Sequence, residues 1–424
     1  MHIQKHASLQ HRTWYPWLVS AACFLMVFTC LGFCSSTKGL YLAAITDTLG
    51  IKRSLYSFND TFRYVATTFV NLFFGAVIAR FGSRKVVAAG FACLITSMLI
   101  YSFAEAVYVF YLGGLFLGAG LAWTTTSMVG YVVDRWVTNH RGTIMGAVMA
   151  ANGLGGALAS QIVSPIIYRD GLGNGFRLSY RITALILLVV GTLVVLVLRD
   201  KPEEMGAAAA VRKKKARANT WDGISLKEAL HKPYFYAAVA FVFLGGVVLQ
   251  GTQSVTAAHL KDAGFSPSHV AMVLSVHSLS LCAMKFLTGI AYDKLGIRVT
   301  TMICSIACIA MILLLQMIEP GPLGNVLAIV QGVVAAVGLP LETILLPLLT
   351  GEMFGKKDYA KLMGIITASS AAGCAIGIPA INLFYDLLGA YRPALLGLSV
   401  LMVFVAAGNL LVLVAAARER EKRT

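Results

Sequence analysis

Residues 75–85 read GAVIARFGSRK, and residues 289–299 read GIAYDKLGIRV. Both place a glycine, a basic residue, a second glycine and another basic residue at one spacing. The first set is Gly75, Arg80, Gly82 and Arg84; the second is Gly289, Lys294, Gly296 and Arg298. The stretches lie 214 positions apart, and each interrupts a long apolar region. A further pair repeats at nearly the same offset, 218: DRW…RGTIMG at 134–146 and EMF…YAKLMG at 352–364. Asp134 corresponds to Glu352, Trp136 to Phe354, Met145 to Met363 and Gly146 to Gly364. Two matches in the same order indicate an internal duplication.

Composition tells what is duplicated. Of 424 residues, 58% are hydrophobic and 13% charged, too few charges to cover a soluble chain of this size. Apolar runs of about 20 residues recur, each long enough to cross a hydrocarbon core of ~30 Å. Inside lipid the backbone must satisfy its own hydrogen bonds, so these runs are expected to be helices. Twelve segments result: 17–46, 55–79, 86–104, 108–132, 143–167, 178–198, 234–258, 268–292, 299–318, 325–350, 360–385 and 393–416. The expected fold is an all-α polytopic membrane protein of two pseudo-symmetric six-helix bundles. Residues 1–198 form the first, 199–233 a cytoplasmic linker with a short interfacial helix, and 234–424 the second. An even number of spans per unit gives both repeats the same orientation.

The net charge of +16 does not point to nucleic acid, because its distribution follows the membrane. With the N-terminus cytoplasmic, 25 of the 35 Lys and Arg fall in cytoplasmic tails and loops, 7 in outer loops and 3 at membrane depth. That bias places both termini in the cytoplasm of a bacterial-type plasma membrane. The run RKKKAR at 212–217 belongs to it, beside anionic lipid. Trp14, Tyr15 and Trp17 read as an interfacial anchor, and the apolar run behind them is too long for a signal peptide. In the linker, Ser225 and Glu228 fit a capping box, with Leu226, Leu230 and Tyr234 along one face. All eight cysteines fall inside apolar segments, and no spacing calls for a metal, a disulfide or a cofactor. No nucleophile–base pair or phosphate loop suggests an enzyme.

The pattern G-x-x-x-D-R/K-x-G-x-R/K between spans two and three resembles the signature loop of the major facilitator superfamily, and the likeness covers the whole chain. It implies a monomeric carrier in which an acidic residue at the fifth position latches the halves on the inner side. Asp293 supplies that residue in the second half, whereas the first half has Ala79. Within the superfamily the chain is similar to monocarboxylate transporters and oxalate–formate antiporters. STKGLYLAAI at 36–45 matches the span-one stretch with a functional lysine, here Lys38. KFLTGIAYDKLG at 285–296 puts Lys285 where those carriers have a substrate-binding arginine, and FGKKDYAKLMG…YDLLGAYRPA resembles the span-eleven region of the antiporters. The departures are Leu281 where an aspartate would precede the span-eight cation, no arginine in 111–120, and no lysine in 362–385.

Intramembrane ionisable residues cost ~2.5–3.5 kcal/mol each on insertion scales and face a cavity or a partner. Those at depth here are Lys38 on span one, Asp60 and Arg63 on span two, Lys285 on span eight and Glu342 on span ten. At ~1.5 Å per residue, Lys38 and Arg63 lie roughly 13 Å below the outer boundary, and Lys285 roughly 12 Å above the inner one. Lys38, Arg63 and Lys285, with Tyr41, are the expected contacts of a small organic anion, monocarboxylates above all. Lys38 has a second reading, snorkelling outward, and Arg63 another, pairing with Asp60 on one helix face. Glu342 (between Pro340 and Pro347), His277 and Asp60 are the candidates for coupling to a proton, with counter-anion exchange left open. Neutral lining candidates are Thr124–Ser127, Asn152, Gln250, Gln253 and Ser369–Ser370. The alternatives are efflux of drugs or other small molecules and a non-transporting membrane sensor.

Overall fold

A computed structural model of the chain describes residues 15–137, 140–169, 175–199, 223–388 and 390–421. The basic run 212–217 and Trp14 lie outside the described residues. Among those described, the chain is helical, with one isolated bridge between Gly223 and Gly355. Span one is Tyr15–Leu31, a π-helical turn Gly32–Ser36, and Lys38–Leu49. Span two is Arg53–Leu72 and Phe74–Phe81, bent by 58°. Spans three to six are Ser83–Phe103, Val107–Thr124 with Thr126–Trp136, Arg141–Ile167 and Phe176–Val197. Span seven is Pro233–Asp262. Span ten is Pro322–Gly338, a second π-helical turn Leu341–Leu345, and Leu346–Phe354. Spans eleven and twelve are Tyr359–Leu388 and Arg392–Glu421.

Spans eight and nine run as one helical segment, Pro267–Met317, of 51 residues. A straight helix of that length would be ~77 Å, more than twice a hydrocarbon core. It is broken at Gly296, where φ is 79° and ψ 172°. Gly82, its counterpart between spans two and three, has φ 79° and ψ 162°. This region of backbone space is nearly closed to residues with a Cβ, so the two motif glycines turn the chain in the same way. The described residues contain ten apolar helices long enough to cross a membrane and one bent pair. Dividing one of the ten at Gly296 completes the twelve expected spans.

Spans one to six pack mainly on one another, as do seven to twelve, and two seams join the sets. Span two meets span eleven at one seam, and span five meets span eight at the other. Spans six and twelve turn Leu185, Leu196, Phe404 and Leu411 outward. They carry no charge at depth because they meet lipid rather than a cavity.

The end of the linker is clamped to the loop between spans ten and eleven. Ser225 accepts the Glu228 N–H and donates to its carboxylate at 3.1 Å, which is the expected capping box on Leu226–Ala229. The Ile224 N–H donates to the Phe354 carbonyl at 2.9 Å, and the Leu226 N–H to Asp358 at 2.9 Å. Burial alone would raise the Asp358 carboxyl, but the Leu226 N–H and Lys361 outweigh it and hold it below its ordinary value.

Candidate functional site

The seams close at the face where both termini emerge, and the two repeated loops sit there. Asp293 points across the second seam to the start of span five. It accepts the Gly142 N–H at 3.0 Å, the Thr143 N–H at 2.7 Å and the Thr143 hydroxyl at 2.6 Å. These are unpaired donors of a helix N-terminus, where a carboxylate is favoured. Gly289 makes the approach possible, since a Cβ there would collide with the Gly142 carbonyl. The first loop repeats the approach without the acid: Gly75 lies against Lys361 at the start of span eleven, and Ala79 offers no acceptor. Arg80, Arg84, Lys294 and Arg298 are exposed at this face. Asp134 adds a weak cross-seam pair with Lys356 at 3.9 Å while holding Arg141 at 2.8 Å.

Deeper in, the first half gathers three charges. Lys38 emerges just beyond the π turn of span one, where Thr37 donates to the Phe33 carbonyl at 2.6 Å. Its ammonium contacts Asp60 on span two, and Arg63, one turn on, lies 3.5 Å from the other Asp60 oxygen. Arg63 also donates to the Ser35 hydroxyl at 3.3 Å, and its guanidinium lies 4.3 Å over the Tyr64 ring. Tyr64 in turn donates to Gln250 on span seven at 3.1 Å, a contact between the halves. A small cavity of about 20 Å³ touches Lys38, Asp60, Arg63 and Tyr41. Tyr41 is 3% exposed; its hydroxyl is bonded to Ser179 at 2.7 Å and its ring is stacked on Tyr180. It therefore stiffens the wall of this cavity.

The second half holds its charges differently. Lys285 is 3% exposed, and no carboxylate lies within 4 Å of it among the described residues. Its main-chain carbonyl abuts Gly146 of span five, and Cys282, one turn earlier, lies 3.5 Å from the Ala150 carbonyl. Glu342 sits inside the π turn of span ten, where Pro347 cannot donate a backbone hydrogen bond to Thr343. Its one described partner is the Ser370 hydroxyl at 3.5 Å. His277 is bonded through Nδ1 to the Gly332 carbonyl at 2.9 Å, so that nitrogen carries the proton and donates. The structure thus joins Lys38, Asp60 and Arg63, and keeps Lys285, Glu342 and His277 out of that cluster. Gln250 and Ser370 were expected in the lining. Ser35 and Tyr64 were not, although an aromatic beside a buried arginine on a helix is a readable sign.

The family profile described as Major Facilitator Superfamily matches residues 23–346 and 250–424. An uncharacterized transporter of that type from Bacillus subtilis, YcxA, is 26% identical over 66% of this chain and 66% of its own length. Multidrug resistance protein 2 of the same organism is 25% identical over 55% of this chain, and the match spans 57% of that relative. Both of these matches fall just or well short of two thirds of the relative. Monocarboxylate transporter 13 of Bos taurus is 26% identical over 74% of this chain and 70% of its own. Among solved structures, the proton:xylose symporter XylE superposes with a TM-score of 0.74 at 14% identity, over 93% of this chain and 94% of that one. The Escherichia coli fucose:proton symporter FucP follows at 0.67 and 13%, over 94% and 98%. At such identities these structures establish the fold alone.

Proposed function

The chain belongs to the major facilitator superfamily, and on that footing we propose that it is a secondary carrier of small organic anions, monocarboxylates above all. The observation that carries this reading is Lys285, buried at 3% exposure with no acidic partner among the described residues. A charge left so in a membrane interior is costly and implies an anion that comes and goes. The first-half cluster adds to it, since Lys38 and Arg63 share the single carboxylate Asp60. The name of one relative, a monocarboxylate transporter, agrees with an anionic cargo.

The mechanism is alternating access, with residues 1–198 and 234–424 rocking about a site near the midplane. Both termini and the Asp293 latch lie on the cytoplasmic side of a bacterial-type plasma membrane, and the closed latch leaves the site facing outward. Lys285 receives the carboxylate from the second half and Lys38 with Arg63 from the first. Glu342 is the group that exchanges a proton, because it has no cationic partner within 4 Å among the described residues and sits in a loosened turn. Efflux of amphipathic drugs is the second reading, favoured by the name of another relative. An uncompensated buried cation opposes a cationic cargo.

Lys285→Ala should abolish uptake of labelled carboxylates into proteoliposomes while leaving protein abundance intact. Normal uptake by that variant would remove the reading. Drug resistance on expression, with no carboxylate counterflow from wild type, would put the efflux reading in its place.

A further inference from the structure

We propose that Asp60 is a tethered competitor for the substrate: in the empty carrier its carboxylate fills the place between Lys38 and Arg63 that the substrate carboxylate takes in the loaded one. This rests on the anion-carrier reading above and describes how the first half of that site is guarded.

The argument begins with how the two oxygens are used. Lys38 contacts Oδ2 of Asp60, while Arg63 Nε lies 3.5 Å from Oδ1, so one carboxylate bridges two cations from two spans. An incoming carboxylate would make the same bridge, since ammonium and guanidinium groups recognise carboxylates in this way. The resident group does so imperfectly. Arg63 Nε is buried and has no hydrogen-bond partner, and the guanidinium turns instead to Ser35 at 3.3 Å. A donor left short in a buried site favours a better-placed acceptor.

Space decides between sharing and displacement. The cavity at this cluster is about 20 Å³, enough for one water and too small for a second carboxylate. An anion reaching both cations must therefore move Asp60 aside. Access comes through Lys38, whose side chain is 38% exposed, against 14% for Asp60 and 12% for Arg63. The wall behind cannot yield easily: Tyr41 is held by Ser179 and stacked on Tyr180, and Tyr101 donates to Asn59 at 3.0 Å. Asp60 is the member of the cluster left to move. A group tethered this closely competes at an effective concentration on the order of millimolar or above.

Two consequences follow, and they have opposite signs. Removing the competitor should tighten carboxylate binding. It should also slow the return of the empty carrier, because Lys38 and Arg63 would then cross the occluded state without a counter-ion. A merely structural ion pair predicts neither effect in a folded variant.

The test is Asp60→Asn, with acetate, propionate and lactate titrated against purified wild type and variant by thermal shift. Labelled propionate exchange and net uptake are then compared in proteoliposomes. The expected result is at least threefold tighter binding in the variant, exchange retained, and net uptake into empty vesicles reduced at least tenfold relative to exchange. Unchanged or weaker binding by a folded variant, with exchange and net uptake falling together, would overturn the role of Asp60. Should Asp60→Asn not purify, Asp60→Ser asks the same question with a smaller neutral side chain. If none of the three anions stabilises even wild type, the anion-carrier reading fails first, and this inference falls with it.

Discussion

The loop at 75–85 and the loop at 289–299 have the same spacing and nearly the same backbone turn, yet they do different things. Gly82 and Gly296 share φ 79°, and Gly75 and Gly289 each let a span press on the first turn of a helix in the other half. The second loop converts that approach into bonds, through three donors to Asp293. The first has Ala79 at the matching position and meets span eleven through the contact of Gly75 with Lys361. The two loops thus share their steric parts, and the second adds the carboxylate. The same asymmetry runs deeper, where the first half pairs its cations with Asp60 and the second leaves Lys285 alone among the described residues.

The strongest way to break the comparison is to remove the polar copy. Asp293→Ala should weaken the closed seam by roughly 3 kcal/mol, the scale of hydrogen bonds to a charged group that leave buried donors behind. Alkylation of Cys282, which faces Ala150 across that seam, should quicken about 100-fold from the side that bears the termini. Alkylation at the wild-type rate would mean that the seam is held by packing alone. Next come the shared turns: Gly82→Ala and Gly296→Ala should each cost about 1–3 kcal/mol of backbone strain. The two melting temperatures should fall together, because both glycines occupy the same disfavoured region. A loss at one position only would show that the symmetry of the turns is incidental.

The comparison can also be sharpened by giving the first loop what it lacks. Ala79→Asp restores a carboxylate at the position of Asp293, one turn from the contact of Gly75 with the start of span eleven, where a helix N-terminus favours an anion by about 1 kcal/mol. It should raise thermal stability slightly and slow transport, since both seams would then have to be unlatched. Faster transport would show that the second half alone sets the gate. The smallest expected effect is at the linker clamp beside this seam. The Asp358 carboxyl is held below its ordinary 3.8, so its contribution is complete above that value and is lost as pH falls through the lower, folded one. Protease cleavage within 200–222 should therefore be flat from about pH 5 to 8 and rise only below about pH 4. Asp358→Asn should cleave at one rate throughout.

Much of this was legible in the sequence because lipid leaves few choices. Twelve apolar runs, the two loops and the depth of each charge all follow from periodicity and rise per residue. Lys38 and Arg63 were placed at one depth on neighbouring antiparallel spans, and both reach Asp60. What the sequence did not show is who pairs with whom. Asp60 read as a partner for Arg63 three residues on, yet its contact with Lys38 comes from another span and depends on helix rotation. Span two read as one run, 55–79, and is bent by 58° beside Phe73, where Gly75 read as a point of close helix approach and not as a bend. Tyr41 read as a substrate contact; it lines the cavity at the cluster, and the bond of its hydroxyl to Ser179, 138 residues away, was not readable. Apolar patterning gives depth and face, and cross-span hydrogen bonds lie outside it.

The π turns at Gly32–Ser36 and Leu341–Leu345 suggest a different kind of history. Such a turn takes up one more residue than an α turn, so each behaves as a single-codon insertion that the helix has absorbed without unwinding. Deleting one residue there would restore an ordinary helix and rotate everything on one side by about 100°. In span one that would carry Lys38 off the face of Asp60; in span ten it would move Glu342 away from Ser370. Two insertions, one in each half, would then have given ordinary lipid-crossing helices their inward-facing charges.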